Sequence, residues 1–372
     1  MQTQVEVLAA VDRIATDVIA PKATETDKGA FPEAAVAAFA KAGLLGLASS
    51  RDVGGLGQGP KTAVLAVERI ARECGSTAMV MTMHWSAAAL IEKLGTPELR
   101  KQVAQAQLAT LAFSETGSRS QFWAPVSTAA KSGDTVTLNA KKSFVTSASR
   151  AGYVWSSKPL AAQGASTLWW VPPKSAGVRV TEPFDGLGLR GNDSSPVTAE
   201  AASIPAANQL GDDGKGFDHM LGVVLPWFNA MNAAASVGLM ESALVRTAKH
   251  ATGTQFQHAG STVADLPTAR AYIARMRIKT DAARLITYDT ADAMEAGRAD
   301  AVLRVLESKA AAGELANEVL DLAMRVCGGA AFRKDVAVER VFRDARASTV
   351  MAPTADVLYE FIGKAVCGLP LF

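Results

Sequence analysis

Leu111-Ala112-Phe113-Ser114-Glu115-Thr116-Gly117-Ser118-Arg119-Ser120 starts apolar and ends in a dense patch of hydroxyls and glycine. Such a patch offers short hydroxyl and backbone N–H donors to an anion or to the edge of a polar ring. About thirty residues later, beyond a Gly133-Asp134 hairpin signal, stands a second edge of the same kind, Ser143-Phe144-Val145-Thr146-Ser147. Together the two edges can form one wall of a planar cofactor site, with an aromatic set between short donors. On spacing alone each reads better as a strand end with a Ser/Thr-rich turn.

Outward from this stretch, the chain changes character twice. Residues 3–110 read as helices: Val5, Leu8, Val11, Ile14 and Val18 recur at helical spacing, and Thr96-Pro97-Glu98 is a helix start with Thr as cap and Pro first. His84 and Trp85 lie in an apolar helix, where a lone His is more often a packed, hydrogen-bonded residue than a catalyst. Residues 110–205 alternate or cluster β formers, as in Thr135-Val136-Thr137-Leu138-Asn139 and Leu168-Trp169-Trp170-Val171, with Gly and Pro between. From Gly216 onward the chain is helical again. Phe228–His250 is rich in small residues that allow close packing, and Lys309 interrupts the apolar face of a helix that ends at Gly328-Gly329. The fold expected is mostly α with an inserted β domain: an N-terminal helical domain (1–109), a middle β-barrel or sandwich (110–213) and a C-terminal four-helix bundle (214–372).

Composition narrows the function classes. The chain has 372 residues, 49% hydrophobic and 20% charged, enough for two or three subdomains around a large shared core. A net charge of +2 argues against nucleic acid or an anionic membrane as partner. No apolar run reaches the roughly 18 residues a bilayer span needs, and Met1-Gln2-Thr3-Gln4-Val5-Glu6-Val7 does not read as a secretory leader. Cys74, Cys327 and Cys367 are too scattered for a disulfide framework or metal site, and the four histidines form no ligand grouping; a reducing cytoplasm is the simplest expectation.

The order of short motifs is more specific than any one of them. Arg51-Asp52-Val53-Gly54-Gly55-Leu56-Gly57, His84-Trp85-Ser86 and Gly95-Thr96-Pro97-Glu98 precede the opening stretch. Leu187-Gly188-Leu189-Arg190-Gly191, Cys327-Gly328-Gly329 and Glu339-Arg340-Val341-Phe342-Arg343-Asp344-Ala345-Arg346 follow it. In this order and spacing the chain resembles the acyl-CoA dehydrogenase superfamily of flavoproteins, over about residues 5–366. The resemblance implies FAD and an acyl thioester sandwiched against its ring. It matches Phe113 and Ser114 to the first flavin edge, and Ser120 to a position near the cofactor phosphates or the CoA moiety. Phe144, Val145 and Thr146 match the second edge, Gly328 and Gly329 a turn approaching the adenine half across a dimer interface, and Thr354 a late cofactor neighbour. It implies a homo-oligomer, a dimer or tetramer, and an electron acceptor or flavin reductase as partner. For Arg340, Arg343 and Asp344, a solvated face or salt bridge is an equal reading.

The departures bear on activity. The family's α-proton acceptor is a Glu followed by Gly-Thr, and here that register reads Val350-Met351-Ala352-Pro353-Thr354, so Ala352 falls where the Glu would be. The second place some members use reads Pro226-Trp227-Phe228-Asn229-Ala230, again without a carboxylate, and Gly253 falls where a cofactor-touching Arg would be. Asp356, one helical turn beyond Ala352, is the candidate substitute base; Glu360 and Glu241 are weaker ones. Three functions therefore compete: thioester dehydrogenation with a displaced or missing base, flavin-dependent monooxygenation on the same fold, and a non-catalytic subunit of a hetero-oligomer.

Overall fold

The computed structural model describes residues 2–118 and 121–371. Its first third is six helices: α1 (Gln4–Ile14), α2 (Ala20–Asp27), α3 (Glu33–Lys41), α4 (Pro60–Glu73), α5 (Gly75–Leu94) and α6 (Pro97–Gln105). Helix α1 opens on a capping box, in which Thr3 Oγ1 accepts from Glu6 N and the Glu6 carboxylate accepts from Thr3 N. Helix α5 lacks a polar stripe because it is surrounded: it packs on α4, α6, β1 and the later α8, and 15 of its 20 residues are buried.

His84, on α5, is a structural clamp. Its Nδ1 accepts from Ala109 N (3.1 Å), which can only donate, so Nε2 carries the proton and donates to Leu45 O (3.0 Å). Burial pushes its pKa down to about 4, and the two backbone partners only partly offset that. A His whose folded pKa lies below its unfolded value of 6.5 favours folding in its neutral form, so its support is complete above pH 6.5 and lost as pH falls through 4. The loss is expected to approach roughly 3 kcal/mol in urea titrations repeated across that window, and His84→Gln should flatten this part of the pH profile.

The middle third is a sandwich of two four-stranded sheets. One has the order β1 (Ala109–Ala112), β4 (Gly152–Ser157), β5 (Thr167–Val171), β8 (Gln209–Leu210), with β1 and β4 parallel. The other has the order β2 (Thr128–Ser132), β3 (Thr135–Val145), β7 (Ser195–Pro205), β6 (Val178–Val180), all antiparallel. Val136, Leu138, Trp155, Trp169 and Val197 fill the space between. The opposite face of the first sheet, including Val154, Leu168 and Trp170, packs with Leu90 and Ile91 of α5. Both faces of β4 and β5 are thus covered, which is why they read as continuous apolar runs rather than as alternation.

The last third is helical. A short α7 (Gly216–His219) passes through a π turn into α8 (Leu225–Gly253), which packs with α9 (Pro267–Ala296) and α10 (Ala301–Cys327). A two-stranded pair, β9 (Gln255–Phe256) and β10 (Ser261–Thr262), fills the α8–α9 connection. Helices α11 (Val338–Ala345), α12 (Ala347–Val350) and α13 (Ala355–Val366) fold back on α10. Close approach needs small residues: a Cβ on Gly238 of α8 would stand 2.3 Å from Glu68 O of α4. The joined helix Gly216–Gly253 is long and apolar enough to cross a bilayer, but 72% of its most apolar window is buried inside the protein, as befits a bundle core.

Candidate active site

A cavity of about 1570 Å³ lies where the three parts meet. That exceeds the roughly 300–1,000 Å³ of an ordinary small-molecule pocket. Met79 and Met83 of α5 form one side, the end of β1 and the loop after it a second, and the Met351–Thr354 segment a third.

The two edges singled out in the sequence are stitched together. Ser143 N donates to Ser114 O (2.9 Å), and Glu115 bridges to Lys142. A register shift between Lys142 and Val145 lifts Phe144 out of β3 with φ +53°, leaving its ring 73% exposed on the cavity wall. Thr146 Oγ1 lies 2.9 Å from Ser194 Oγ, and both residues line the cavity.

A buried ion pair fixes this wall. Lys142 is 0% exposed and Glu115 1%. The Lys142 ammonium reaches Glu115 Oε1, Ser156 O (2.7 Å) and Ser156 Oγ (3.0 Å), while Glu115 Oε2 accepts from Val126 N (2.6 Å) and Ser127 N (3.0 Å). Burial would raise the Glu115 pKa, but the Lys142 charge and these donors outweigh it and hold the carboxyl below its ordinary range. Sequence reasoning missed this pair, because Lys141-Lys142 on a strand reads as solvated.

The opposite wall is set by α10 and α11. Asp344 Oδ1 accepts from Leu189 N (2.6 Å), and Gly188 lies so close to α11 that a Cβ would stand 2.3 Å from Arg343 O. Burial pushes the Asp344 pKa up to about 6. Arg343 pairs with Asp27 and Glu339, and Arg340 donates to Glu73 O, so the charged segment takes the salt-bridged reading and works as scaffold. Lys309, 1% exposed, donates to Met351 O (3.0 Å) and Pro353 O (2.7 Å). Burial lowers its pKa to about 7. The lysine that interrupted an apolar helix face therefore pins the segment holding Ala352.

Of the residues proposed from the sequence, Phe113, Ser114, Phe144, Thr146, Ala352 and Thr354 all line the cavity. Thr354 also caps α13 by accepting from Val357 N. Val145 is fully buried between the sheets, so its side chain faces the sandwich core rather than the cavity. Gly328 and Gly329 lie at the exposed end of α10, away from the lining. Ser120 lies outside the described residues. Asp356 is exposed in the first turn of α13 and Glu360 is exposed one turn on, neither in the lining; Glu241 is held by Arg277 and Arg284. Among the described lining residues, Glu115 is the sole carboxylate, and it is committed to Lys142.

The wall suits a large, planar, polar-edged ligand. It presents an exposed aromatic beside hydroxyls, and Ser118 Oγ and Asn317 Oδ1, both in the lining, have no partner among the described residues. The acyl-CoA dehydrogenase family models match in chain order: N-terminal domain at residues 1–109, middle domain at 110–202 and C-terminal domain at 214–367. The cyclohex-1-ene-1-carbonyl-CoA dehydrogenase of Geobacter metallireducens is 30% identical over 95% of both chains. This chain belongs to the acyl-CoA dehydrogenase family. The solved butyryl-CoA dehydrogenase of Megasphaera elsdenii shares its fold, with TM-score 0.91 at 22% identity over 99% of this chain and 100% of that one. So does a structure described as the FAD complex of PigA, with TM-score 0.88 at 20% identity over 99% and 98%. As a member of the acyl-CoA dehydrogenase family, the protein is an FAD-dependent oxidoreductase, and its cavity wall fits that cofactor.

Proposed function

We propose that this protein exchanges a hydride equivalent between FAD and the acyl part of a thioester, most simply an acyl-CoA, within the cavity described above. The observation that carries this reading is the joint placement of Phe113, Ser114, Phe144, Thr146 and Thr354 on a cavity with room for cofactor and substrate together. FAD supplies the redox chemistry when bound. Phe144 offers a flat apolar face, and the Thr146 and Ser114 edges offer short polar groups that orient a ring and tune its electron affinity. Val145 contributes main chain only, and Ser120 remains a proposed cofactor contact. Gly328 and Gly329 have open space around them, which suits an approach by a second copy's cofactor.

Asp356 could serve as base only if the start of α13 reoriented, so we assign no carboxylate to the α-proton. A homodimer or homotetramer is proposed on the exposed Ile278 and Leu285, seven residues apart on α9, together with Leu369 near the C-terminus. Three free cysteines suit a reducing cytoplasm. Electrons pass to a separate redox partner.

The test is an anaerobic titration of the FAD-loaded protein with acyl-CoAs of varied chain length and branching, followed by flavin absorbance. Bleaching by any of them is the expected result. Tightly held flavin that no thioester bleaches would overturn the reading and favour oxygen chemistry or a non-catalytic subunit.

A further inference from the structure

Among the described residues that line the cavity, three carry charge: Glu115, Arg343 and Arg346. Two of them are answered inside the protein. Glu115 is held by Lys142, and Arg343 pairs with Asp27 and Glu339. Arg346 makes no ion pair with a described residue. It stands half-buried where α11 passes into α12. Its guanidinium lies over the Phe342 ring, 4.4 Å from the centroid. Stacking occupies the face of a guanidinium and leaves the N–H donors at its edge free. Arg346 is therefore held flat by a residue one turn earlier, with an unused fork of donors on a cavity wall.

The rest of this corner is neutral. Thr349, also in the lining, lies one turn on, and its Oγ1 donates to Arg346 O (3.4 Å). The segment after α11 runs antiparallel to α10. Lys309 meets the Met351 and Pro353 carbonyls, and a Cβ on Gly313 would stand 2.9 Å from Ser348 Oγ and 3.4 Å from Thr349 Cγ2. Asn317, one turn beyond Gly313, therefore comes level with the residues just before Ser348. Asn317 also lines the cavity, and its Oδ1 is an unmet acceptor among the described residues, open to a hydroxyl of a ligand held there. An uncompensated cation in a partly enclosed wall draws an anion, because low-dielectric surroundings focus its field. Planar forked donors fit phosphoryl oxygens. An oxidised flavin ring and an alkyl chain are uncharged, whereas FAD and CoA carry their negative charge on phosphoryl groups. We infer that Arg346 anchors a phosphoryl group of the ligand in this cavity. The inference concerns how the ligand is held, so it goes beyond the proposed reaction and does not depend on it.

Binding measurements on the full-length protein test it in two arms. In the first, the flavin-free protein is titrated with riboflavin, FMN and FAD, followed by flavin fluorescence. In the second, the FAD-loaded protein is titrated calorimetrically with butyryl-CoA and with butyryl-pantetheine, which lacks phosphate. Arg346→Met keeps an apolar stem over Phe342 and removes the charge. It should weaken either FAD or butyryl-CoA roughly tenfold or more, the usual worth of a charge-assisted hydrogen bond, and leave riboflavin and butyryl-pantetheine unchanged. Arg346→Lys, which keeps the charge without the fork, should recover part of the loss. A loss in the flavin arm assigns the phosphoryl group to the dinucleotide, and a loss in the thioester arm assigns it to CoA. Unchanged affinities in both arms, or equal losses for the phosphate-free ligands, would overturn the inference. So would a loss confined to succinyl-CoA, which would make the anion an acyl carboxylate. If no thioester binds but the flavin arm behaves as expected, the proposed reaction falls and this inference stands. Should the variants fail to fold, wild type decides: its preference for FAD over riboflavin, or for butyryl-CoA over butyryl-pantetheine, should shrink as salt is raised, and preferences indifferent to salt would overturn the inference.

Discussion

Replacing Lys142 with Met is expected to cost about 3–5 kcal/mol of folding stability, the usual penalty for breaking a buried ion pair from one side. The pair is an extreme case: 0% and 1% exposed, with the Lys142 ammonium also lying 5.1 Å from the Trp155 ring centroid. The substitution leaves the Glu115 carboxylate without its counter-ion and the Ser156 hydroxyl without a partner in the sandwich interior, while the Ser156 carbonyl keeps the Ser127 hydroxyl. It also removes the side-chain tie between β3 and the loop that follows Ser114, leaving the Ser143 N to Ser114 O bond to hold the two edges. Flavin content per protein should therefore fall along with the urea midpoint. Pairing the change with Glu115→Gln removes the uncompensated charge, and the double variant is expected to regain at least half of the lost stability. Strict additivity of the two single losses would show that the groups do not interact, contrary to their geometry.

How much was legible in the sequence depended on what each residue's neighbours in the chain could reveal. The Thr3–Glu6 cap and the helical repeat through Val11 and Ile14 are local, so their spacing announced them. The two edges were readable as a patch type and were expected to share one wall, but the Ser143–Ser114 bond that joins them was not foreseen, because the Gly133-Asp134 hairpin links β2 to β3 rather than one edge to the other. Lys142 and Lys309 were opaque for a common reason. Each is a polar residue whose burial is decided by elements more than ten residues away: Glu115 and Ser156 for the first, Met351 and Pro353 for the second. Periodicity marks such residues as exposed or as interruptions, and only the tertiary contact shows what they serve. His84 is the converse. Its apolar helix correctly signalled burial, and the structure supplied the two backbone partners. The candidate base Asp356 stands outside the cavity lining for a geometric reason. Asp356 is one turn from Ala352 in sequence, but a helix that starts at Ala355 directs its first-turn side chain to the exposed face.

Ala352→Glu is expected to speed anaerobic flavin reduction by an acyl-CoA about 10²–10⁴-fold, the ordinary contribution of a positioned general base. The position is prepared for it. Ala352 lines the cavity, and Lys309 holds the carbonyls on either side of it at 3.0 and 2.7 Å, so a side chain introduced there springs from fixed main chain. Ala352→Gln has nearly the same shape but cannot take the proton, and it should give no acceleration; this separates base catalysis from altered packing. The gain should grow as pH rises through the new carboxyl's titration, because only the ionised form accepts a proton. Lys309→Met, combined with Ala352→Glu, should forfeit much of the gain by freeing the segment, while the overall fold persists through α10's other contacts. Should Ala352→Glu bind FAD and thioester normally yet bring no acceleration, α-proton removal would not be what limits this protein. The absence of an unpaired carboxylate among the described lining residues would then be matched to a substrate that needs none, which places the specificity of the reaction elsewhere in the cavity rather than at Ala352.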